Sequence, residues 1–167
     1  MPLELAAFFR TTLPLDLRAL DELDDGRYHS IWMPDHLVSF WPDTIWTPDF
    51  TDLAEVSPSP HRYLDVLPLA GAVAARTART RLATSVVDTV RRHPVMLAQS
   101  ALTLSHLSTG RFILGLGAGE RENLTPYGFD DRATVSRFAE AVRLIRLLWS
   151  AEGPVDFEGE FFTLEHA

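Results

Sequence analysis

Residues 112–120 read Phe-Ile-Leu-Gly-Leu-Gly-Ala-Gly-Glu, an apolar strand-forming run that passes into three alternating glycines and stops on a carboxylate. A strand with this ending lets bare backbone approach a ligand and sets one acid beside it, as at the C-terminal mouth of a parallel α/β barrel. The glycines also have a plainer reading, as the means by which a strand and its loop pack closely. They are not the dinucleotide fingerprint, because position 120 is glutamate where that motif needs glycine or alanine. No Gly-Lys-Ser/Thr ending marks a phosphate loop.

Outward from this run the chain alternates. Upstream, Pro94 suits the first turn of a helix to about Leu107, which Ser108-Thr109-Gly110 closes. Arg81 to Val90 reads as a strand by its β-branched residues, and Tyr63 to Thr77 as an alanine-rich helix. Ser30 to Pro34 is a short strand that exits through Asp35-His36 into a loop rich in Trp, Pro and Asp as far as Pro60, with no pattern of its own; such loops tend to be functional. Leu3 to Leu13 reads as an opening strand and Leu15 to Leu23 as a helix that breaks at Asp24-Asp25-Gly26. Downstream, Phe138, Val142, Ile145 and Trp149 recur at helical spacing, which predicts a helix over 134–150. Gly153-Pro154 then leads to a hairpin of Val155 to Phe157 and Phe161 to Leu164, turning at Glu158-Gly159. The order β-α-β-α-β-α-β-α predicts a parallel sheet with right-handed crossovers. No internal boundary is evident, so 1–167 reads as one domain.

Composition narrows the function classes. With 167 residues, 46% hydrophobic and 23% charged, the chain has material for a real core. A net charge of −8 argues against a nucleic-acid surface. All 15 cations are arginine, a bias that fits the codon usage of a GC-rich genome. The lack of cysteine excludes disulfides, thiolate metal sites and cysteine nucleophiles. No apolar run approaches the roughly 20 residues of a membrane helix, and the N-terminus lacks the layout of a signal peptide, so the cytoplasm is the expected compartment.

Asp35-His36 stands at a strand exit, the same mouth as Glu120 if the sheet is parallel. Histidine moves protons near neutral pH and an adjacent acid can orient it; the alternative is a structural histidine. Thr84-Ser85-Val86-Val87-Asp88 ends the third strand with small hydroxyls that could meet a ring edge. Arg91 and Arg92 could meet an anionic tail or simply be solvated, and Trp41 and Trp46 either wall an apolar pocket or staple their loop to the core. Histidine spacing gives no metal site.

Taken together, Ser-Ile-Trp-Met-Pro-Asp-His at 30–36, Ala-Thr-Ser-Val-Val-Asp at 83–88, His-Pro-Val-Met-Leu-Ala-Gln at 93–99 and Leu-Ser-Thr-Gly-Arg-Phe-Ile-Leu-Gly-Leu-Gly-Ala-Gly-Glu at 107–120 resemble the bacterial luciferase-like superfamily. Arg137-Phe138 to Trp149 and Gly153 to Gly159 continue the resemblance. It implies an α/β fold of (β/α)8 TIM-barrel type, of which this chain supplies about the first four βα units plus a hairpin, the N-terminal half of a barrel. Members use FMN or the deazaflavin coenzyme F420. The Asp-His pair, the Gly-Ala-Gly-Glu turn and Asn123 look most like the F420-dependent branch, which includes glucose-6-phosphate dehydrogenases and phthiodiolone ketoreductases.

By that resemblance His36 and Glu120 are the acid/base residues. Asp35, Asp88, Ala118, Gly119 and Asn123 contact the deazaflavin, and a cis peptide at Ser85-Val86 bulges toward the ring. The dehydrogenases carry threonine where this chain has Asp88 and Ala118, and their active-site tryptophan is shifted here to Phe40 or Trp41, so sugar-phosphate specificity is not supported. The aromatic loop from Phe40 to Phe50 and Pro126-Tyr127-Gly128-Phe129 look more like the ketoreductases, whose substrates are lipidic ketones. The expected activity is hydride transfer between reduced F420 and a carbonyl or enone carbon of a small, apolar ketone. Two alternatives stand beside it: an FMN-dependent monooxygenase, and a non-catalytic half-barrel remnant or fragment. A half barrel also exposes edges, so a homodimer or a missing C-terminal half is expected to complete it.

Overall fold

The computed structural model describes residues 3–167. Its elements are β1 (Ala6–Phe8), α1 (Ala19–Leu23), β2 (Ser30–Met33), α2 (Leu53–Val56), α3 (Val66–Arg76), β3 (Arg81–Thr84), β4 (Val87–Asp88), α4 (Pro94–Leu107), β5 (Phe112–Ile113), β6 (Leu116–Gly117), α5 (Arg121–Leu124), α6 (Thr134–Ser150), β7 (Phe157–Glu158) and β8 (Thr163–Leu164). Single 3-10 turns lie at Asp43–Ile45 and Thr125–Tyr127. The chain forms two compact units, one comprising residues up to Val86 with Leu104–Gly115, the other Val87–Thr103 with Leu116–Ala167.

The first unit is built on a sheet in the order β1-β2-β3-β5, every neighbouring pair parallel, as the alternation predicts. Ala7, Ile31 and Leu82 pair across three strands and are buried, so the register puts a continuous apolar row into the core. The Asp65 carboxylate caps α3 by accepting from Leu67 N at 3.0 Å, and Val66, Leu69, Ala70, Val73 and Ala74 form the buried face of that helix. Ahead of β3, Asp24 accepts the backbone N–H groups of Ala78, Arg79 and Thr80 at 2.6, 3.0 and 2.7 Å. Burial raises this carboxyl, but the three donors outweigh it and hold its pKa below the ordinary value.

Both helices expected early in this unit start late, α1 at Ala19 rather than Leu15 and α3 at Val66 rather than Tyr63, and three further departures concern its strands and loop. The opening strand is three residues long, because Thr12 bridges Tyr63 antiparallel while Leu64 N and Leu13 N bond Thr11 O and Arg62 O at 2.8 and 3.0 Å. Residues 11–13 thus leave the sheet for a different partner. The loop after Pro34 has structure of its own, a 3-10 turn and α2, held by Trp46 Nε1 donating to Ser57 O at 2.8 Å. The strand expected over Arg81 to Val90 breaks after Thr84, where Ser85 N turns to Met33 O at 2.7 Å and the Ser85–Val86 peptide is cis.

In the second unit β4 pairs parallel with β6, Val87 opposite Leu116 and Asp88 opposite Gly117. α6 has the bounds its periodicity predicts and buries Ala141 and Leu144 against Phe162, with Phe157 and Leu164 of the terminal hairpin packed alongside. Phe157 pairs with Leu164 and Glu158 with Thr163, so the turn begins at Gly159. Glu140 on α6 reaches into it and accepts the N–H groups of Glu160, Phe161 and Phe162 at 2.9, 2.9 and 2.8 Å. Burial raises the Glu140 carboxyl, and the three donors more than offset that, leaving its pKa lowered.

Candidate functional site

In the first unit the site begins where β2 ends. Pro34 has no N–H with which to continue the ladder, and its carbonyl accepts Thr11 Oγ1 at 3.0 Å. Asp35, 5% exposed, follows, and then His36, whose ring lies 5.2 Å from that of Tyr63. His36 lines a cavity of about 700 Å³ with Phe8, Phe40, Trp41, Trp46, Phe50 and Tyr63 as its aromatic walls. Trp41 stands 4.7 Å from Phe40 and 5.1 Å from Phe50, ring to ring, so the loop aromatics pack on each other as they line the space. Arg10, Thr11, Ser39 and Ser85 add polar groups, and among the described residues no aspartate or glutamate lines the cavity. His61 ties the ends of the aromatic loop together: its Nδ1 accepts Ser39 N at 3.1 Å and its Nε2 lies 3.6 Å from Asp43.

β3 and β5 shape the next part of this mouth. Thr84 Oγ1 donates to Gly115 O at 2.9 Å and accepts Gly115 N at 3.0 Å. A Cβ at Gly115 would stand 2.0 Å from Thr84 O, so this glycine is required by the close approach of two strands rather than by a ligand. Beyond Thr84, Val86 is 44% exposed although Thr84 and Val87 on either side are fully buried. An apolar side chain is therefore held out of the sheet's end.

The second unit carries a separate constellation. Asp88, buried, accepts the N–H groups of Val90 and Arg91 at 2.9 and 2.7 Å and is paired with the buried Arg91 guanidinium. Gly119 has φ +97°, and a Cβ there would meet Leu124 Cδ1 at 2.8 Å and approach the Asp88 side chain at 3.6 Å. Glu120, exposed, opens α5; Asn123, buried, donates from Nδ2 to Glu120 Oε2 at 3.2 Å and from its backbone N to Glu120 O at 3.0 Å. That pair of bonds orients the carboxylate.

Of the residues singled out from the sequence, Asp35, His36, Ser85 and Val86 lie in the first unit, and His36 and Ser85 line its cavity. Asp88, Ala118, Gly119, Glu120 and Asn123 lie in the second, where Asp88 approaches Gly119 and Glu120 bonds Asn123. Trp41 and Trp46 are cavity walls, and Arg91 is engaged by Asp88. Arg10, Tyr63 and His61 were not singled out. Arg10 is an isolated charge in an apolar segment, and the other two sit beyond a loop whose closure only the fold reveals.

The family model for luciferase-like monooxygenases matches residues 17–167. The chain belongs to the luciferase-like monooxygenase family. Among relatives of this family, it is 40% identical over 145 residues to a phthiodiolone/phenolphthiodiolone dimycocerosates ketoreductase of Mycobacterium sp. (strain JLS), covering 85% of this chain and 38% of that protein. It is 50% identical over 99 residues to an F420-dependent glucose-6-phosphate dehydrogenase of Kineococcus radiotolerans, covering 57% of this chain and 29% of that one. In structure it is similar to an F420-dependent secondary alcohol dehydrogenase solved with an F420–acetone adduct, with a TM-score of 0.77 and 25% identity over 100% of this chain and 48% of that chain. This luciferase-like chain thus spans well under half the length of the curated relatives it matches, and its fold corresponds to about half of a TIM barrel. Among the described residues no helix is long and apolar enough to cross a membrane.

Proposed function

We propose that this chain carries cofactor-facing and proton-transfer residues of an F420-dependent oxidoreductase that reduces the carbonyl of an apolar ketone or enone. The observation that carries this reading is His36 at the C-terminal exit of a parallel strand, on the wall of an aromatic cavity free of carboxylates. When bound, reduced F420 supplies the hydride. Val86, an apolar side chain held exposed at the sheet's end, fits the face of a flat ring, and Ser85 beside it offers a hydroxyl to a ring edge.

The chain's own groups complete the reaction. As the carbonyl carbon gains hydride, its oxygen gains a proton, and His36 is the donor at that atom. Tyr63, tilted at 43° to the imidazole, restricts its rotation. In the second unit Glu120, oriented by Asn123, is that unit's acid/base candidate. The aromatic walls favour an apolar substrate.

The test is the absorbance of reduced F420 mixed with the chain and acetophenone. Ketone-dependent oxidation of the coenzyme is the expected result. No spectral change or binding with either oxidation state of F420 would overturn the reading. Oxygen consumption with reduced FMN, and none with reduced F420, would support a flavin monooxygenase instead.

A further inference from the structure

We infer that the cavity of the first unit selects a substrate with an anionic end: an aromatic or aliphatic ketone that also carries a carboxylate, which Arg10 receives. The ketone in this statement rests on the proposed function; the carboxylate does not.

Three observations point to it. The chain has 23 acidic residues against 15 arginines, yet among the described residues no acid lines this cavity, and Arg10 does. A charged ligand end entering this cavity therefore meets a fixed cation among the described lining residues, and no carboxylate. Second, Arg10 is held in place. Its Nη2 donates to Pro14 O at 2.8 Å, which leaves further N–H groups of a rigid fork for a ligand. The residues that follow it are fastened on both sides, by Thr11 Oγ1 to Pro34 O at 3.0 Å and by the bonds of Thr11 O and Leu13 N to Leu64 N and Arg62 O. Third, the same fastening ties the segment that carries Arg10 to the strand exit that carries His36, and both residues line the cavity. Thr11 follows Arg10 by one residue and Pro34 precedes His36 by two, so one hydrogen bond links the two strand exits that carry the cation and the proton donor.

A single guanidinium matches a monoanion. A carboxylate can bond it in fork geometry, and among the described lining residues no second arginine is present to pair a phosphate dianion. The aromatic walls then take the apolar body.

The probe pair is 4-oxo-4-phenylbutanoate and its methyl ester, titrated into the full chain without cofactor and read by quenching of Trp41 and Trp46 fluorescence. The acid is expected to bind at least about tenfold more tightly than the ester, as one charge-assisted pair provides. That preference shrinks with added salt. Arg10→Gln should abolish the preference while leaving the ester's affinity within about twofold, and Arg10→Lys should keep part of it. Retained ester binding shows that the Gln variant is folded.

Equal binding of acid and ester by the wild type, binding of neither, or a preference that survives Arg10→Gln would overturn the inference. Equal binding together with His36-dependent oxidation of reduced F420 would overturn the anion site alone. Acid preference without any oxidation of reduced F420 would overturn the proposed activity and leave the anion site standing.

Discussion

The glycine run at 112–120 and the aromatic loop after Asp35 both follow parallel strands, yet they use their residues differently. Gly115 and Gly119 are fixed by what a side chain would strike, Thr84 O at 2.0 Å and Leu124 at 2.8 Å. The loop, by contrast, presents side chains: Phe40, Trp41, Trp46 and Phe50 line an open cavity, and Phe40 is 61% exposed. One region spends its sequence on backbone approach, and the other on surface that nothing within the loop's own unit covers. Substitutions in the first should therefore damage the fold, and those in the second should damage binding or turnover with the fold intact.

The sharpest break of this contrast is Gly115→Ala. The added methyl meets backbone that cannot rotate away, so a loss of about 3 kcal/mol or more is expected from the shift in urea midpoint. A midpoint unchanged from the wild type would show that the strands can separate there. Glu140→Ala extends the comparison to the second unit. Three backbone N–H groups around a 3% exposed carboxylate lose their acceptor, at a cost of about 3 kcal/mol.

The pH dependence of stability follows from the same carboxylates. Glu140 and Asp24 have pKa values lowered from the ordinary 4.5 and 3.8, so the folded state holds their protons less readily than the unfolded chain does. Their contribution is fully present above those ordinary values and is lost as pH falls through the lower folded ones. Urea midpoints should be flat near neutrality and drop below about pH 5, and Glu140→Ala should drop less steeply than the wild type. A smaller effect is expected in the loop: Trp46→Phe removes the bond to Ser57 O, costing about 1 kcal/mol or less, while weakening ligand-dependent fluorescence quenching.

The two regions were also unequally legible. Two helices are legible at their observed bounds, Pro94–Leu107 from a proline and a closing glycine and Thr134–Ser150 from four apolar residues at helical spacing, whereas the alanine-rich helix starts at Val66, three residues later than its pattern suggests. Family and fold type came from motifs at the strand ends. Strand continuity did not come through, because the breaks at Ser85 and after Ile113 depend on a hydroxyl, Thr84 Oγ1, replacing ladder bonds at Gly115, which no periodicity records. Elements of one turn, such as Leu53–Val56 and Arg121–Leu124, are too short to repeat. His61 bonds Ser39, 22 residues away along the sequence, and Arg10 is marked by the cavity it lines, so nothing local signals either.

His36 joins the two halves of the comparison, since it should matter for turnover and hardly at all for folding. The decisive measurement is the rate of reduced-F420 oxidation with a saturating aryl ketone for His36→Ala, taken beside its urea midpoint. A rate lowered by about 100-fold or more with the midpoint unchanged is the expected result. An unchanged rate in a folded variant would contradict the assignment of this cavity as the reacting site.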